Sequence, residues 1–304
     1  MILQIKNRET KGILCKLLNL FLYAVVTILN KNFLKSLGIF QLFFLSSFFA
    51  LIFITIFIKF SKEKSLFDLI KGINTKYLTR GLLNMMGRTF WLFGLAEMDA
   101  TIATTIAYLR PIFALLIAIF FLSEKMTWKL GSALLISIIG AILVIGPAAD
   151  SDGASTISII AIFSSPLAWA IYDIIVKKQS RKDHWAKQTF IVFFLSVLFS
   201  FPLAITNWEP LNSNLFLIII LIGFLYTSIE VTLAIALKRL ALTLVAPISF
   251  TRIVFTAILA YIFIGEEITM VTSIGCLLII AANLVIFATV SEKKVTELKA
   301  EDPS

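Results

Sequence analysis

Two apolar stretches of the chain match each other, and each is long enough to cross a lipid bilayer. The first covers residues 100–127 and the second covers residues 242–269. The residues that recur at one offset of 142 positions are Arg110 with Arg252 and Glu124 with Glu266. A charged side chain inside an apolar span costs about 2.5–3.5 kcal/mol on insertion scales and marks a candidate functional site. Its recurrence at a fixed offset predicts that the chain contains an internal repeat.

The composition requires a lipid environment for most of the chain. Of the 304 residues, 59% are hydrophobic, 28 are phenylalanine and only 15% are charged. A soluble protein of this length could not keep so much apolar surface away from water. The net charge of +9 therefore does not indicate a nucleic-acid partner. We expect the chain to lie in a lipid bilayer and to bind no nucleic acid.

Apolar runs of about 20 residues predict ten transmembrane helices. The predicted fold class is therefore an all-α polytopic membrane protein. We also expect a short interfacial helix in the charged loop around residues 60–77. The predicted spans are residues 12–31, 39–59, 78–96, 99–122, 128–147, 155–176, 187–207, 214–237, 244–264 and 270–290.

The basic residues divide the predicted loops into two classes. With a cytoplasmic N-terminus, 22 of the 27 Lys and Arg residues fall in inner segments, and only Lys31 and Lys35 fall in outer loops. Cytoplasmic loops of membrane proteins carry such an excess of positive charge. Because one miscounted helix would reverse the sign of every later loop, the pattern favours ten spans with both termini cytoplasmic.

Ten spans divide into two halves of five. The predicted boundaries are 12–147 for the first repeat, 155–290 for the second repeat and 291–304 for a cytoplasmic tail. Since each half contains an odd number of spans, the two halves enter the membrane in opposite orientations. Inverted repeats of this kind are typical of secondary transporters, whose substrate site lies near the midplane between the halves.

Span 3 carries a row of polar residues at helical spacing. Arg80, Asn84 and Arg88 follow one another every four residues, and Trp91 lies one turn further along. We expect Arg80, near the inner end, to extend toward the lipid headgroups. Arg88 lies deeper, and its counterpart at the repeat offset is Glu230. An ion pair between these two residues is expected, either as a structural contact or as a gate that breaks during transport.

Spans 4 and 9 combine polar residues with prolines. Span 4 carries several threonines and Tyr108 on one face, and Arg110 lies roughly 200° from Tyr108 around a helix of 3.6 residues per turn. Pro111 in span 4 and Pro247 in span 9, five residues before Arg252, are expected to bend or interrupt their helices. Interrupted helices at mid-membrane free backbone groups that can bind a substrate.

Span 6 contains a second group of candidate residues. Ser165, Trp169 and Asp173 are spaced at four residues, with Tyr172 beside them. Asp173 is either the partner of Lys177 in a local ion pair or a binding group for a cation or a proton. Trp169 and Tyr172 either pack in the bundle or stack on a planar or cationic substrate.

The sequence predicts neither an enzyme nor a cofactor protein. It contains no GxxxxGK[ST], HExxH, GxSxG or GxGxxG motif. One histidine and two distant cysteines, Cys15 and Cys276, are too few to form a zinc or haem site. We therefore expect no metal and no catalytic residue. The first apolar run lacks a small-residue cleavage site, which predicts that it is kept as a helix.

The sequence around the two repeat ends resembles the EamA type of the drug/metabolite transporter superfamily. The segment FFLSEKMTWKLGSALLISIIGAILVI carries this resemblance, with Glu124 in FLSE and Glu266 in FIGE as structural markers of each repeat. The segments RGLLNMMGRTFWLFGLAEMDATIATTI and PLAWAIYDIIVKK are similar to a branch of S-adenosylmethionine transporters. The resemblance implies alternating access in a bacterial inner membrane, with spans 1–4 and 6–9 around a central cavity.

Buried arginines favour a carboxylate, and the carboxylates and aromatic rings suit a cationic group. We therefore expect a small zwitterionic metabolite, such as an amino acid or S-adenosylmethionine. An efflux pump of the same fold and a non-transporting scaffold or flippase subunit remain alternatives. The sequence does not distinguish import, export and antiport. It also does not decide whether the protein forms a homodimer. The predicted site residues are Asn84, Arg88, Trp91, Tyr108, Arg110, Trp169, Tyr172, Asp173, Glu230 and Arg252.

Overall fold

A computed structural model describes the residues that form most of the predicted spans. Within them, all regular secondary structure is helical. The markers Glu124 and Glu266 lie outside the described residues, as does most of the predicted interfacial helix. The described residues are 2–33, 37–60, 73–97, 107, 109–123, 126–145, 156–206, 208–264, 270–271, 273–282 and 284–285.

The helices are numbered here in chain order. Their bounds are α1 Ile2–Phe33, α2 Ile39–Phe60, α3 Thr75–Glu97, α4 Leu109–Leu122, α5 Trp128–Ile145, α6 Thr156–Ser180, α7 Trp185–Ala204, α8 Ser213–Arg239, α9 Leu242–Ser249 and α10 Thr251–Ile264. A further short apolar helix, α11, covers Ser273–Ala282.

Six stretches of the described chain are long and apolar enough to cross a membrane. They are Glu9–Asn30, Ile39–Lys59, Ile160–Ser180, Trp185–Ala204, Ser213–Arg239 and Leu242–Phe263. The chain is thus an all-helical protein with several membrane-spanning helices. The count of ten spans and the orientation of the two termini stay predictions.

The ninth predicted span is interrupted, as its proline indicated. Helix α9 ends at Ser249 and α10 begins at Thr251, with Phe250 between them. The Phe250 N–H donates to the Pro247 carbonyl over 3.2 Å, which is a tight turn in place of a continuing α-helix. The interruption places Arg252 in the first turn of α10.

The distribution of side chains is the reverse of that in a soluble protein. Large apolar residues face outward: Phe120 is 77% exposed and Phe121 is 74% exposed. Polar residues lie inside: Arg80 is 0% exposed and Glu230 is 4% exposed. Lipid is the solvent in which such an apolar outer surface is favourable.

Helices of the first half pack mainly against helices of the second half. Helix α1 packs on α8 and α10, α2 packs on α7 and α8, and α3 packs on α6 and α7. Exchanging the two halves turns the α1–α8 pair into the α6–α3 pair. A two-fold relation between the halves requires this pattern. In secondary transporters built from inverted repeats, the substrate site lies in the space between the halves.

A close approach between α8 and α2 depends on a glycine of α8. A Cβ built on Gly223 would lie 2.5 Å from the Phe49 Cβ and 3.0 Å from the Ala50 backbone nitrogen. Side-chain rotation cannot relieve a contact with backbone and Cβ atoms. Glycine therefore allows α8 to lie directly against α2.

Replacing Gly223 by alanine is expected to destabilise the bundle by about 1–3 kcal/mol, the usual cost of overfilling a packed core. The measurement is the thermal unfolding midpoint of the purified protein in detergent. The matched control is Gly131→Ala, where the nearest atom to an added Cβ is the Met126 methyl at 3.6 Å. A fall in midpoint for Gly131→Ala as large as that for Gly223→Ala would contradict this account.

Candidate functional site

A central cavity lies between helices of the two halves. Its free volume is about 70 Å³, which is less than the roughly 300–1,000 Å³ of a typical small-molecule pocket, so the cavity must widen to hold a small organic ligand. The lining residues predicted from sequence are Asn84, Arg88, Trp91, Arg110, Trp169, Glu230 and Arg252. The structure adds further lining residues, which include Tyr23, Thr27, Asn30, Ser165, Phe193 and Tyr226.

The remaining predicted site residues lie beside the cavity or outside the described chain. Tyr172 and Asp173 follow Trp169 on α6 and bind arginines that belong to the cavity region. Tyr108 and the threonines of span 4 are outside the described residues. The prediction that Arg110 and Tyr108 need not share a cavity therefore stays a prediction.

Arg88 projects from α3 into a cage of hydroxyl groups and aromatic rings. Its Nη2 donates to the Ser46 hydroxyl over 3.1 Å. Its guanidinium lies over the Tyr226 ring at 3.9 Å and over the Phe43 ring at 4.5 Å from the centroid. The side chain is buried, and no carboxylate among the described residues pairs with it. Cation–π contacts with two rings stabilise a charge that lacks a counter-ion here.

Arg80 lies two helical turns before Arg88 on α3 and in contrast donates to four side-chain acceptors, while its Nε is buried without a partner among the described residues. Its Nη2 donates to Glu230 over 3.2 Å and to the Tyr172 hydroxyl over 3.1 Å. Its Nη1 donates to the side-chain oxygens of Gln179 and Gln188 over 3.0 and 3.1 Å. The Tyr172 hydroxyl also donates to Glu230 over 2.5 Å. These five side chains form the Arg80 cluster, which joins α3, α6, α7 and α8.

Arg110 of α4 forms the second buried ion pair. Its Nε and Nη2 donate to the two oxygens of Asp173 over 3.0 and 2.7 Å. Such a two-pronged pair fixes the orientation of both side chains. The guanidinium also lies 4.8 Å from the centroid of the Trp169 ring. Gly87 leaves the room for that ring, because an added Cβ would lie 2.7 Å from the Trp169 Nε1.

Arg252 of α10 contacts the cavity face of α1. Its Nη2 donates to the Thr27 hydroxyl over 2.8 Å, and its guanidinium lies 5.2 Å from the centroid of the Tyr23 ring. Its Nε is buried without a partner, and no carboxylate of the described residues pairs with it. Arg252 thus resembles Arg88 in being held by a hydroxyl and a ring.

A smaller cavity adjoins the central one. Its free volume is about 50 Å³, and it shares Tyr23, Arg110 and Arg252 with the central cavity. Lys16 and Asp173 also line it. The Lys16 amine donates to the Asn19 side chain over 3.3 Å and is 5% exposed as a residue. The interior of the bundle is therefore richer in positive than in negative side chains.

Two sequence-based pairings and one sequence-based placement are wrong. Glu230 pairs with Arg80 and not with Arg88, because α8 presents Tyr226 at the height of Arg88 and Glu230 one turn further along. Arg80 does not extend to the headgroups, since it is fully buried. Asp173 binds Arg110 in place of Lys177.

Lys177 has a different partner from the one predicted. Its amine donates to the Leu240 carbonyl, at the C-terminal end of α8. Carbonyl groups at a helix end lack intrahelical donors and carry partial negative charge. This local acceptor satisfies Lys177, and Asp173 is left to bind Arg110.

The described residues contain no group of three or more histidine, cysteine, aspartate or glutamate side chains that could hold a metal ion. The site residues that the sequence did not reveal include Asn30, Tyr226, Ser46 and two partners of Arg80, Gln179 and Gln188. Spacing gives one signal for the first of these: Tyr23, Thr27 and Asn30 follow at helical intervals on α1. Nothing in the sequence pairs Ser46 with Arg88.

Removing Arg80 is expected to destabilise the protein by about 3–5 kcal/mol, because Glu230 would stay buried without its cation. The Arg80→Met and Glu230→Gln double variant should recover most of this loss. Thermal unfolding in detergent measures both effects. The control is Lys187→Ala, which breaks the half-exposed pair with Asp183 at 2.8 Å and should cost only about 0.2–1 kcal/mol. Equal losses for the Arg80 and Lys187 variants would show that the Arg80 cluster does not stabilise the fold.

The chain matches known membrane transporters over most of its length. The EamA-like transporter family matches residues 10–146 and 156–288. An S-adenosylmethionine uptake transporter of Rickettsia prowazekii is 27% identical over 290 residues, which cover 95% of this chain and 96% of that protein. The protein of the same name from Rickettsia bellii is 30% identical over 226 residues, or 73% of this chain and 75% of that protein.

More distant matches extend the comparison. A pseudopaline exporter of Pseudomonas aeruginosa is 23% identical over 213 residues, which cover 70% of this chain and 74% of that protein. A solved crystal structure superposes with a TM-score of 0.79 over 94% of this chain and 99% of its own, at 16% identity. That likeness shows a shared fold. The chain therefore belongs to the EamA-like transporter family, as a multi-pass inner-membrane protein that is a transporter and not an enzyme.

Proposed function

We propose that the protein is a secondary transporter that moves a small organic solute with a carboxylate group, using the central cavity as its binding site. The observation that carries this proposal is the state of Arg88. Its guanidinium lines the cavity and is buried, yet it binds only hydroxyls and rings within the described chain. A guanidinium presents a planar set of donors that matches a carboxylate. A bound carboxylate would supply the missing counter-ion.

The charges around the cavity support an acidic group on the solute. Glu230 and Asp173 each bind an arginine, and so neither is free to receive a cationic group of the solute. Arg88 and Arg252, in contrast, have no carboxylate partner in the described residues. Buried charges are costly unless they are paired. The imbalance favours a solute with at least one negative group.

The aromatic side chains of the cavity suit the rest of such a solute. Trp91, Trp169 and Tyr226 all line it. Aromatic faces bind planar groups by stacking and bind cationic groups by cation–π attraction. An amino acid or a molecule like S-adenosylmethionine combines a carboxylate with such groups. The relatives named S-adenosylmethionine uptake transporters support this class of solute.

The Arg80 cluster is proposed as the inner gate of an alternating-access cycle. On one side Glu230 lines the central cavity, and on the other Gln188 lines a vestibule with a free volume of about 560 Å³ that contains Lys11 and Lys238. Arg80 bonds to both Glu230 and Gln188 and so closes the space between the two volumes. Opening toward the inner side would require these bonds to break.

The membrane arrangement proposed for this cycle is ten spans with both termini in the cytoplasm. Residues 12–147 and 155–290 would be the inverted halves, and residues 291–304 a cytoplasmic tail. The packing of α1 on α8 and of α3 on α6 supports such a relation between the halves. Alternating access then follows from one half moving against the other around a fixed site.

Export is a second candidate, and it rests on one comparison. A relative of this chain is named a pseudopaline exporter. The same cavity and gate serve either direction, because a secondary transporter follows the gradients of its solute and coupling ion. Transport measured in proteoliposomes that contain the protein in a known orientation distinguishes import from export.

Proteoliposomes that contain the protein should take up radiolabelled S-adenosylmethionine or an amino acid. The Arg88→Ala variant should lose about 10–100-fold in uptake efficiency, since a charge-assisted hydrogen bond contributes about 1.5–3 kcal/mol. Arg88→Lys should retain an intermediate rate because it keeps the charge but loses the planar fork.

The matched control is Arg181→Ala, which removes an exposed arginine from the turn between α6 and α7. It should transport at the wild-type rate. The proposal fails if neither S-adenosylmethionine nor any amino acid enters the vesicles. It also fails if a well-folded Arg88→Ala variant transports normally.

A further inference from the structure

Asn30 is a cavity residue whose hydrogen bonding is incomplete. It lies on α1, and its Nδ2 donates to the Tyr226 hydroxyl over 3.2 Å. Its Oδ1 is buried and has no partner among the described residues. Asn30 as a whole residue is 4% exposed. A buried polar atom without a partner is costly, and a ligand that supplies the missing donor regains that cost.

Tyr226 places Asn30 next to Arg88. The Tyr226 hydroxyl accepts from Asn30, while the face of the same ring lies 3.9 Å from the Arg88 guanidinium. The cavity therefore presents a positively charged donor over the face of the Tyr226 ring, and an acceptor without a partner in the described chain on the side chain that donates to the Tyr226 hydroxyl. A ligand that satisfies both groups must carry an acidic group and a donor group close together.

We propose that Arg88 and Asn30 together bind the head group of an α-amino acid. The carboxylate accepts from the Arg88 guanidinium, and the amino group donates to the Asn30 Oδ1. This assignment rests on the transport function proposed above and defines the class of solute more narrowly. The two groups of an α-amino acid share one carbon, which suits a donor and an acceptor that both contact the Tyr226 side chain.

The other acceptors of the cavity region are less available to an amino group. Glu230 accepts from Arg80 and Tyr172, and Asp173 binds Arg110 through both of its oxygens. Asn30 differs from these two carboxylates because its acceptor atom is buried and has no partner among the described residues.

The test compares three ligands that differ only in the head group. They are L-methionine, its deaminated acid and its decarboxylated amine, and the same series is made from S-adenosylmethionine. Titration calorimetry on the purified full-length protein in detergent measures each dissociation constant. Wild-type protein should bind at least one intact amino acid at least tenfold more tightly than either truncated form.

Asn30→Leu should weaken the binding of the intact amino acid at least fivefold and leave the binding of the deaminated acid unchanged within twofold. Arg88→Ala should weaken the binding of the intact amino acid and leave the binding of the decarboxylated amine unchanged within twofold. Asn30→Asp keeps an acceptor and adds a negative charge, so it should still bind the intact amino acid and should bind the deaminated acid at least fivefold more weakly. The control for that change is Asn212→Asp at the N-cap of α8, far from the cavity, where aspartate caps as well as asparagine.

Equal weakening of the intact and the deaminated ligand by Asn30→Leu would overturn the proposal, since it would show a structural role for Asn30. Tighter binding of the deaminated acid to Asn30→Asp would also overturn it. Wild-type protein that binds neither L-methionine nor S-adenosylmethionine would overturn the proposal as well. In that case the proposed transport function still holds if vesicles take up another carboxylate solute in an Arg88-dependent way. If they do not, both proposals fail.

Discussion

A guanidinium inside a membrane protein must be enclosed and partnered by protein, because the surrounding lipid offers neither water nor counter-ions. Four arginines of this chain meet that requirement in two ways. Arg80 and Arg110 bind Glu230 and Asp173. Arg88 and Arg252 bind hydroxyls and aromatic rings in the described chain. The first pair links helices of the bundle, and the second pair leaves positive charge on a cavity wall. The arginines that link helices are therefore different from the arginines that are proposed to bind a solute.

Helix α6 connects the two kinds of site through three nearby residues. Tyr172 bonds to Arg80 and Glu230, Asp173 binds Arg110, and Trp169 lies against both the cavity and the Arg110 guanidinium. Since α6 packs on α3, α4 and α8, a shift of this helix changes the Arg80 cluster and the cavity together. Alternating access would require such coupling between the proposed gate and the proposed binding site.

Composition and periodicity were enough to predict an all-helical membrane fold and the interruption near Pro247. They also identified Arg88, Arg110, Trp169 and Arg252 as interior residues, because charged and aromatic side chains stand out in apolar spans. Sequence offset did not predict that Glu230 binds Arg80. The height at which two helices meet depends on close contacts between them, such as that of the Gly223 backbone with α2, and one helical turn changes the partner. Asn30 was missed because it precedes Lys31 at the end of a span, where an asparagine is unremarkable.

The most direct test of the central claim is a cryo-electron microscopy structure with the solute that the uptake screen identifies. The account predicts that its carboxylate lies within hydrogen-bonding distance of the Arg88 guanidinium, between α3 and the Tyr226 ring. It also predicts that the bonds from Arg80 to Glu230 and Tyr172 are intact in any state closed to the inner side. Solute bound away from Arg88, or an Arg88 guanidinium paired with a carboxylate of the protein itself, would contradict it.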